Sequence, residues 1–139
     1  MKNIQLNYET LIKITKSLSK SKDPEEIIKL TVESIKSSLG IKGCALLLIN
    51  TQTKDLEVAA SAGLSEEYLN KGTVSALHSI AESLKDGPVA VYDVSDDPRI
   101  QYPEAAKKEG IASILSVPIM VGDEAIGTIR AYTAEKWEF

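Results

Sequence analysis

Two runs of apolar and β-branched residues near the end of the chain, Ser113–Val121 and Ala125–Tyr132, flank a short turn at Gly122-Asp123. Gly and Asp tolerate the positive φ values that tight hairpin turns require, so this pattern predicts a β-hairpin. Neither run alternates cleanly between apolar and polar positions, and a strand that is apolar on both faces is covered on both faces. The hairpin is therefore predicted to lie in the middle of a sheet, with helices on one face.

Two helices are predicted before the first strand. Ile4–Ser19 carries a narrow apolar stripe, which fits either a short coiled-coil seam or a helix packed on its own sheet. The second helix begins at Asp23-Pro24, a cap followed by a proline whose missing N–H costs nothing, and it ends at Gly40. Four apolar residues share one side of this second helix: Ile28, Val32, Ile35 and Leu39. That side is predicted to pack on the sheet.

A first hairpin is predicted from the apolar run Cys44–Asn50, a polar turn at 51–55 and a second strand at Leu56–Ala62. The second strand ends in small residues, which leave space for a packed helix, the commoner explanation, or for a ligand. From Ser65 to Gly110 the pattern breaks into short elements. They are a turn of helix at Ser65–Tyr68, a helix at Ser75–Asp86, a strand at Val89–Tyr92 and a helix at Pro103–Glu109. We expect them to cover the sheet face that the first helices leave open.

Composition narrows the class of function. The 139 residues suit one domain, and 16 Lys and Arg against 20 Asp and Glu give a net charge of −4. This charge argues against nucleic acid or an anionic membrane as the main partner. No apolar run has the length of a signal peptide or a membrane span, so a cytoplasmic location is expected. One cysteine and one histidine cannot build a disulfide or a metal cluster. No catalytic constellation, metal or cofactor is predicted.

Five short blocks along the second half of the chain carry a family resemblance. They are Gly87-Pro88-Val89, Asp93–Arg99, Gly110–Ser113, Leu115–Ile119 and Ile126-Gly127-Thr128. In this order and spacing they resemble the GAF domain signature. The resemblance covers residues 23–139 and leaves 1–22 as an amphipathic helix and linker. It implies an α+β fold related to PAS domains. A central antiparallel β-sheet would carry N-terminal helices on one face and a lid of short helices and loops over a small-molecule pocket on the other.

The end of the sequence bears on how such a domain would act. Family members usually continue from an aromatic residue into a long final helix, whereas this sequence ends at Trp137-Glu138-Phe139. We expect a domain excised from a larger protein, or one that has lost its exit helix. In related proteins that helix leads to a histidine kinase of a two-component system, a diguanylate cyclase, a phosphodiesterase or a transcription activator. The output would then lie outside this chain.

Three functions stay open on the sequence. The leading hypothesis is a non-catalytic sensory domain that binds a small molecule, or relays a conformational change, through the helices of a homodimer. The second is a ligand-free dimerisation module whose pocket is filled by its own side chains. The third is redox chemistry at Cys44, although strand cysteines usually serve as small buried apolar residues.

The predicted pocket draws on several segments, including tyrosines that offer flat apolar area with one hydrogen-bonding tip. The candidate ligand-binding residues are Ser61, Tyr68, His78, Tyr92, Tyr102, Ser113 and Leu115. His78 could ligate a haem iron, but a partly exposed helix residue is the favoured interpretation. Arg99 could bind an anion, but pairing with a neighbouring aspartate is favoured.

Three chemistries of the family find little support in these residues. Bilin-binding members attach the chromophore through a cysteine that often precedes a histidine, and Leu77 stands at that position here. Reduction of free methionine sulfoxide depends on several cysteines, and this chain has one. Asn70-Lys71 and Asp123-Glu124 resemble parts of a cyclic-nucleotide signature. The phenylalanine between them is missing, so we interpret the match as coincidental.

Overall fold

Pro24–Leu39 form the first helix, α1, of the computed structural model, which describes residues 24–50, 52–72, 74–75, 87–121 and 124–138. The bounds of α1 are those predicted. Gly40 follows with a φ of +62°, a left-handed conformation in which helices commonly end. The predicted cap at Asp23 and the predicted helix at Ile4–Ser19 lie outside the described residues.

Six strands form one antiparallel sheet in the part of the chain that the structure describes. They are β1 (Gly43–Ile49), β2 (Asp55–Ala62), β3 (Val74–Ser75), β4 (Val89–Val91), β5 (Ser113–Val121) and β6 (Glu124–Thr133). Their order across the sheet is β3-β2-β1-β6-β5-β4. The β5–β6 hairpin therefore occupies interior positions, as the sequence predicts. β6 joins the two halves of the sheet, because it pairs with β1 on one edge and with β5 on the other.

One face of the sheet, the helix face, packs against α1. Val32 of α1 is fully buried there against Cys44 and Leu46 of β1. Ala60 and Ala62 of β2 border the same cluster. Their small side chains thus make room for the helix, which confirms the commoner of the two explanations offered for them.

The opposite face, the covered face, carries a second apolar cluster. Its strand residues are Ala45, Leu47, Leu56, Val89, Val91, Ile114 and Tyr132. Two short helices pack on them, α2 (Glu66–Leu69) through Tyr68 and α3 (Pro103–Glu109) through Ala106. The predicted α+β architecture, with elements on both faces of a central antiparallel sheet, is therefore present. No described helix is long and apolar enough to cross a membrane.

The sequence-based boundaries need one correction. Ser75, predicted as the first residue of a helix, instead pairs in β3 with Asp55 of β2. The open edge of β2 offers hydrogen-bond partners to this segment, and that pairing outweighs the local helical pattern. Residues 76–86 and the turn at 122–123 lie outside the described residues.

Gly127 of β6 lies where the backbone of β1 passes very close. A Cβ at this position would lie 2.2 Å from the carbonyl oxygen of Leu47, so the two strands would have to move apart. We predict that Gly127→Ala lowers the free energy of unfolding by about 1–3 kcal/mol, the usual cost of overpacking. Urea denaturation of both proteins measures the difference.

Ala59 supplies the control for this measurement. It is exposed on β2, so Ala59→Ser also adds one side-chain atom to a strand but meets no close neighbour. Its free energy of unfolding should stay within about 0.5 kcal/mol of the wild type. A Gly127→Ala protein as stable as Ala59→Ser would contradict the close approach of β1 and β6.

Candidate functional site

Arg130 lies on the covered face in the middle of β6. Its neighbours across the sheet are Ala45 of β1 and Ser116 of β5. Directly paired residues point to the same side of a sheet, so the long arginine side chain emerges between two small ones. Arg130 is only 5% exposed and Ser116 is 0% exposed. An arginine this deeply buried is uncommon unless it is paired.

Both residues keep buried hydrogen-bonding atoms without partners. Among the described residues, nothing hydrogen-bonds to Nε or Nη2 of Arg130, or to Oγ of Ser116. An unpaired buried donor costs about 1–3 kcal/mol, and more when the group is charged. Folded proteins pair nearly all such atoms, so this pair requires a physical reason.

Arg99 shows what the same edge of a guanidinium does with a partner. Its Nε donates to Oδ1 of Asp97 at 2.9 Å, and its Nη2 donates to Oδ2 at 2.6 Å. This is a two-pronged hydrogen bond to a carboxylate, on the protein surface. The structural role favoured for Arg99 from the sequence is therefore the one observed. Arg130 presents the equivalent Nε and Nη2 edge in the interior.

Two tyrosines and a lysine lie near Arg130. Tyr68 meets Tyr132 edge to face, with ring centres 5.9 Å apart. The Nζ of Lys71 lies 3.9 Å from the centre of the Tyr68 ring and donates to the Tyr68 backbone oxygen at 3.2 Å. The Arg130 side chain is also close enough to the Tyr132 side chain to lower the pKa of that tyrosine. The group combines aromatic surface with two cationic side chains.

Burial and the charge of Arg130 together set the ionisation of these neighbours. Burial raises the pKa of Tyr132 and of Tyr68, and the charge of Arg130 opposes both shifts. Burial, followed by repulsion from Arg130, lowers the pKa of Lys71 to about 8. Lys71 is thus largely protonated at pH 7, which leaves this part of the covered face positively charged.

Glu109 is a carboxylate whose charge reaches this group, because it raises the pKa of both Tyr68 and Lys71. Its Oε2 accepts from the backbone N–H of Ser65 at 2.7 Å, and its Oε1 accepts from the Ser65 hydroxyl at 2.6 Å. Both oxygens are therefore engaged where α2 begins. Glu109 does not pair with Arg130.

Three of the sequence-predicted candidates lie on or beside the covered face. Tyr68 belongs to its core, and Tyr102 borders that core. Ser61 points the same way, because it pairs directly with Ala45. The centre of the Tyr102 ring lies 5.9 Å from Nζ of Lys71. A role for these residues in ligand binding stays a prediction.

The other candidates do not join them. Leu115 packs on the helix face, and the Tyr92 residue is 51% exposed. Ser113 is fully buried, but its hydroxyl is paired twice. It donates to the backbone oxygen of Tyr92 at 2.5 Å and accepts from the backbone N–H of Trp137 at 2.8 Å. His78 lies outside the described residues.

Sequence reasoning does not single out Arg130 or Ser116. The available signal is a charged residue inside the otherwise apolar run Ala125–Tyr132, opposite a serine in the other arm of the hairpin. That pairing follows from the sequence only if the register shift between Ile119 and Met120 is known.

Two further kinds of chemistry, thiol reactivity at Cys44 and metal binding, find no support among the described residues. Cys44 is 0% exposed on the helix face, and burial raises the pKa of its thiol to about 12. The reactive thiolate is therefore scarce at neutral pH. Within the ranges given above, no group of three or more His, Cys, Asp and Glu is placed to hold a metal ion.

Comparisons with known proteins supply a family and a fold. A protein-family model described as GAF domain matches residues 21–139. No curated protein sequence matches the chain. The GAF domain of a phosphoenolpyruvate-protein phosphotransferase from Coxiella burnetii has a similar structure, with a TM-score of 0.81 and 20% identity. The match covers 95% of this chain and 80% of that one.

Two further solved structures are similar. Free methionine-R-sulfoxide reductase from Neisseria meningitidis, in complex with its substrate, gives a TM-score of 0.77 at 20% identity over 95% of this chain and 75% of that one. The phycocyanobilin-bound GAF domain from a cyanobacterial phytochrome gives 0.68 at 18% identity over 95% of this chain and 82% of that one. At these identities the likeness shows the fold alone.

Lys71 leads to a prediction about pH. Its folded pKa of about 8 lies below the ordinary value of 10.5. Between these values the unfolded chain holds a proton that the folded protein lacks, so stability rises with pH. We predict that the free energy of unfolding of Lys71→Met, minus that of the wild type, is most positive at pH 7 and becomes smaller by pH 9.5. Urea denaturation across this range measures it.

The control for this measurement is Lys108→Met. Lys108 pairs with Glu67 on the surface, and this pairing raises its pKa. Its charge is therefore constant from pH 7 to 9.5, and the difference from the wild type should be constant as well. Parallel stability curves for Lys71→Met and the wild type would contradict the burial of the Lys71 amine.

Cys44 leads to a prediction about reactivity. Because the thiol is buried and its pKa is raised, iodoacetamide should label the native protein about a hundred times more slowly than the protein unfolded in urea. Mass spectrometry over a time course measures both rates. Ser95→Cys places a thiol on the exposed surface and provides the fast control. A native rate for Cys44 close to that control would restore the redox hypothesis.

Proposed function

The chain belongs to the GAF domain family, and we propose that it is a sensory domain that binds a small molecule on the covered face of its sheet. One observation carries the proposal. Three buried polar atoms, Nε and Nη2 of Arg130 and Oγ of Ser116, have no hydrogen-bond partner among the described residues. Each such atom costs about 1–3 kcal/mol, an expense that a purely structural core has no reason to keep.

The structural neighbours support the capacity of this fold to hold a small molecule. The reductase was solved in complex with its substrate, and the phytochrome domain was solved with phycocyanobilin. Phytochromes are also signalling proteins, in keeping with a sensory role. The ligand of this chain is a separate question, because those proteins share 20% and 18% of its sequence.

β6 gives the proposed sensor a path for its signal. A ligand that engages Arg130 acts on the strand that pairs with both β1 and β5. At the end of β6, the Thr133 hydroxyl donates to the backbone oxygen of Glu135 at 2.6 Å. Binding would shift the populations of states that differ at this end of the sheet. The proposal includes a cytoplasmic homodimer formed through helices, with an output domain outside this chain.

The proposal assigns no catalysis to the domain. Cys44 lies on the helix face, on the other side of the sheet from Arg130, and burial raises the pKa of its thiol. A redox step needs an accessible thiolate. The location and the ionisation of Cys44 both argue against the redox hypothesis.

A ligand-free dimerisation module is the second candidate. It is favoured by the packing of Tyr68 against Tyr132, which fills part of the covered face with the protein's own aromatic rings. This alternative leaves the unpaired atoms of Arg130 and Ser116 unexplained. We therefore rank it below the sensor.

Thermal shift measurements test the sensor against the module. A panel of small anions, cations and neutral metabolites is added to the chain, and the Tm is followed by scanning fluorimetry. A ligand that binds only the folded state stabilises it by about 2.7 kcal/mol at 100 times its Kd, so at least one compound should raise the Tm. Isothermal calorimetry then measures the affinity of each compound that does.

Two results decide between the candidates. The sensor is supported if a compound raises the Tm of the wild type and the Tm of Ala59→Ser by the same amount. Such a compound binds away from the exposed strand position of Ala59. If no compound raises the Tm at concentrations up to about 10 mM, well above the Kd of even weak ligands, the sensor fails. A dimer that persists in that case, measured by light scattering, would support the ligand-free module.

A further inference from the structure

We propose that the ligand is a small organic anion, whose carboxylate or phosphate group is held by Nε and Nη2 of Arg130 and by the hydroxyl of Ser116. This inference rests on the proposed function and names the class of ligand for the same site. Three observations carry it: the geometry of the unpaired atoms, the balance of charge around them, and the apolar residues beside them.

The geometry of Arg130 selects an anion with two oxygens. The N–H groups of Nε and Nη2 lie along one edge of the planar guanidinium, at a spacing that matches carboxylate or phosphate oxygens. Arg99 uses this edge in the same chain to bind both oxygens of Asp97. Arg130 therefore has the donor pattern of a carboxylate site, and none of the described carboxylates occupies it.

Ser116 adds a third donor to this edge. It is the direct cross-strand partner of Arg130, so both side chains leave the sheet on the same face. Its hydroxyl is buried and unpaired among the described residues, and a hydroxyl can donate to an anion while its rotor adjusts. An anion between the two side chains would satisfy all three atoms at once.

The balance of charge excludes a cation and disfavours a neutral ligand. Arg130 and Lys71 are close enough for the charge of Arg130 to lower the pKa of Lys71. The nearby carboxylate of Glu109 has both oxygens bound to Ser65. A buried charge without a partner is costly, and an anionic group is the partner that removes this cost.

The surroundings indicate that the anion belongs to an organic molecule. Val89 is the other cross-strand partner of Ser116, and Ala45 is the other partner of Arg130. Both are buried, as is Tyr68 of α2. A ligand that reaches the guanidinium meets these apolar and aromatic surfaces with the rest of its body. An apolar or flat body beside the anionic group suits them better than free inorganic phosphate.

Matched pairs of compounds test the charge. Phenylacetate is compared with phenylacetamide and phenyl phosphate with phenol, and inorganic phosphate is added alone. The same pairing is applied to every compound that raises the Tm in the metabolite panel. The expected result is that the anionic member of a pair binds the full chain and that its neutral partner binds about 30-fold more weakly or not at all. The two pairs separate a carboxylate ligand from a phosphate ligand.

Variants assign the binding to the proposed atoms. Arg130→Met removes the charge at similar length and should weaken anion binding about 30-fold or more. Arg130→Lys keeps a charge but loses the planar edge, so its affinity for the anion should lie between those of the wild type and Arg130→Met. Ser116→Ala should weaken binding by a smaller factor. Arg99→Met, the matched surface control, should leave the Kd unchanged, because the Arg99 edge is already occupied by Asp97.

Each outcome decides the inference. If neutral or cationic compounds bind as well as anions, or if the anion binds Arg130→Met and Ser116→Ala as tightly as the wild type, the inference fails while the proposed sensor stands. If inorganic phosphate alone matches the organic anions, the organic part of the inference fails. If no compound binds the wild type, both proposals fail together. Should Arg130→Met not fold, Arg130→Lys and Ser116→Ala still decide the result.

Discussion

The pairing of β6 on both of its edges is the interaction on which the rest of the structure depends. β6 bonds to β1 on one side and to β5 on the other, and without it the sheet divides into β3-β2-β1 and β5-β4. Helix α1 packs on β1 and β2, whereas β4 and β5 contribute much of the covered face. One strand therefore holds together the parts of both clusters. Its closeness to β1 at Gly127 fixes how these parts meet.

Pairs of like residues within this chain differ in whether their hydrogen-bonding atoms have partners. Ser113 and Ser116 are both fully buried on β5, yet the first is bonded twice to the backbone and the second has no partner in the described residues. Arg99 and Arg130 show the same contrast between a paired and an unpaired guanidinium. Each unpaired group can thus be compared with a paired group of the same residue type in this chain. The serine pair shows that burial alone does not distinguish the unpaired group.

Local signals explain why the elements were predictable. A proline near the start and a glycine just past the end bound both α1 and α3, so their limits follow from a few neighbouring residues. The site depends instead on register and on the face each strand residue meets. Successive strand residues point to opposite faces, so Leu115 packs toward α1 while its neighbour Ser116 lies on the covered face. The sequence does not say which face each strand residue meets, nor where the register of the hairpin shifts.

The bond from the backbone of Trp137 to the hydroxyl of Ser113 has a mechanical consequence. The chain leaves the sheet from the end of β6, yet it is fastened to the first residue of β5. The direction in which the chain continues after β6 is therefore set by both β5 and β6. If β5 slid along β6 by a fraction of a residue, this direction would change. A small shear between the two strands would thus become a change in the angle at which the chain leaves the sheet.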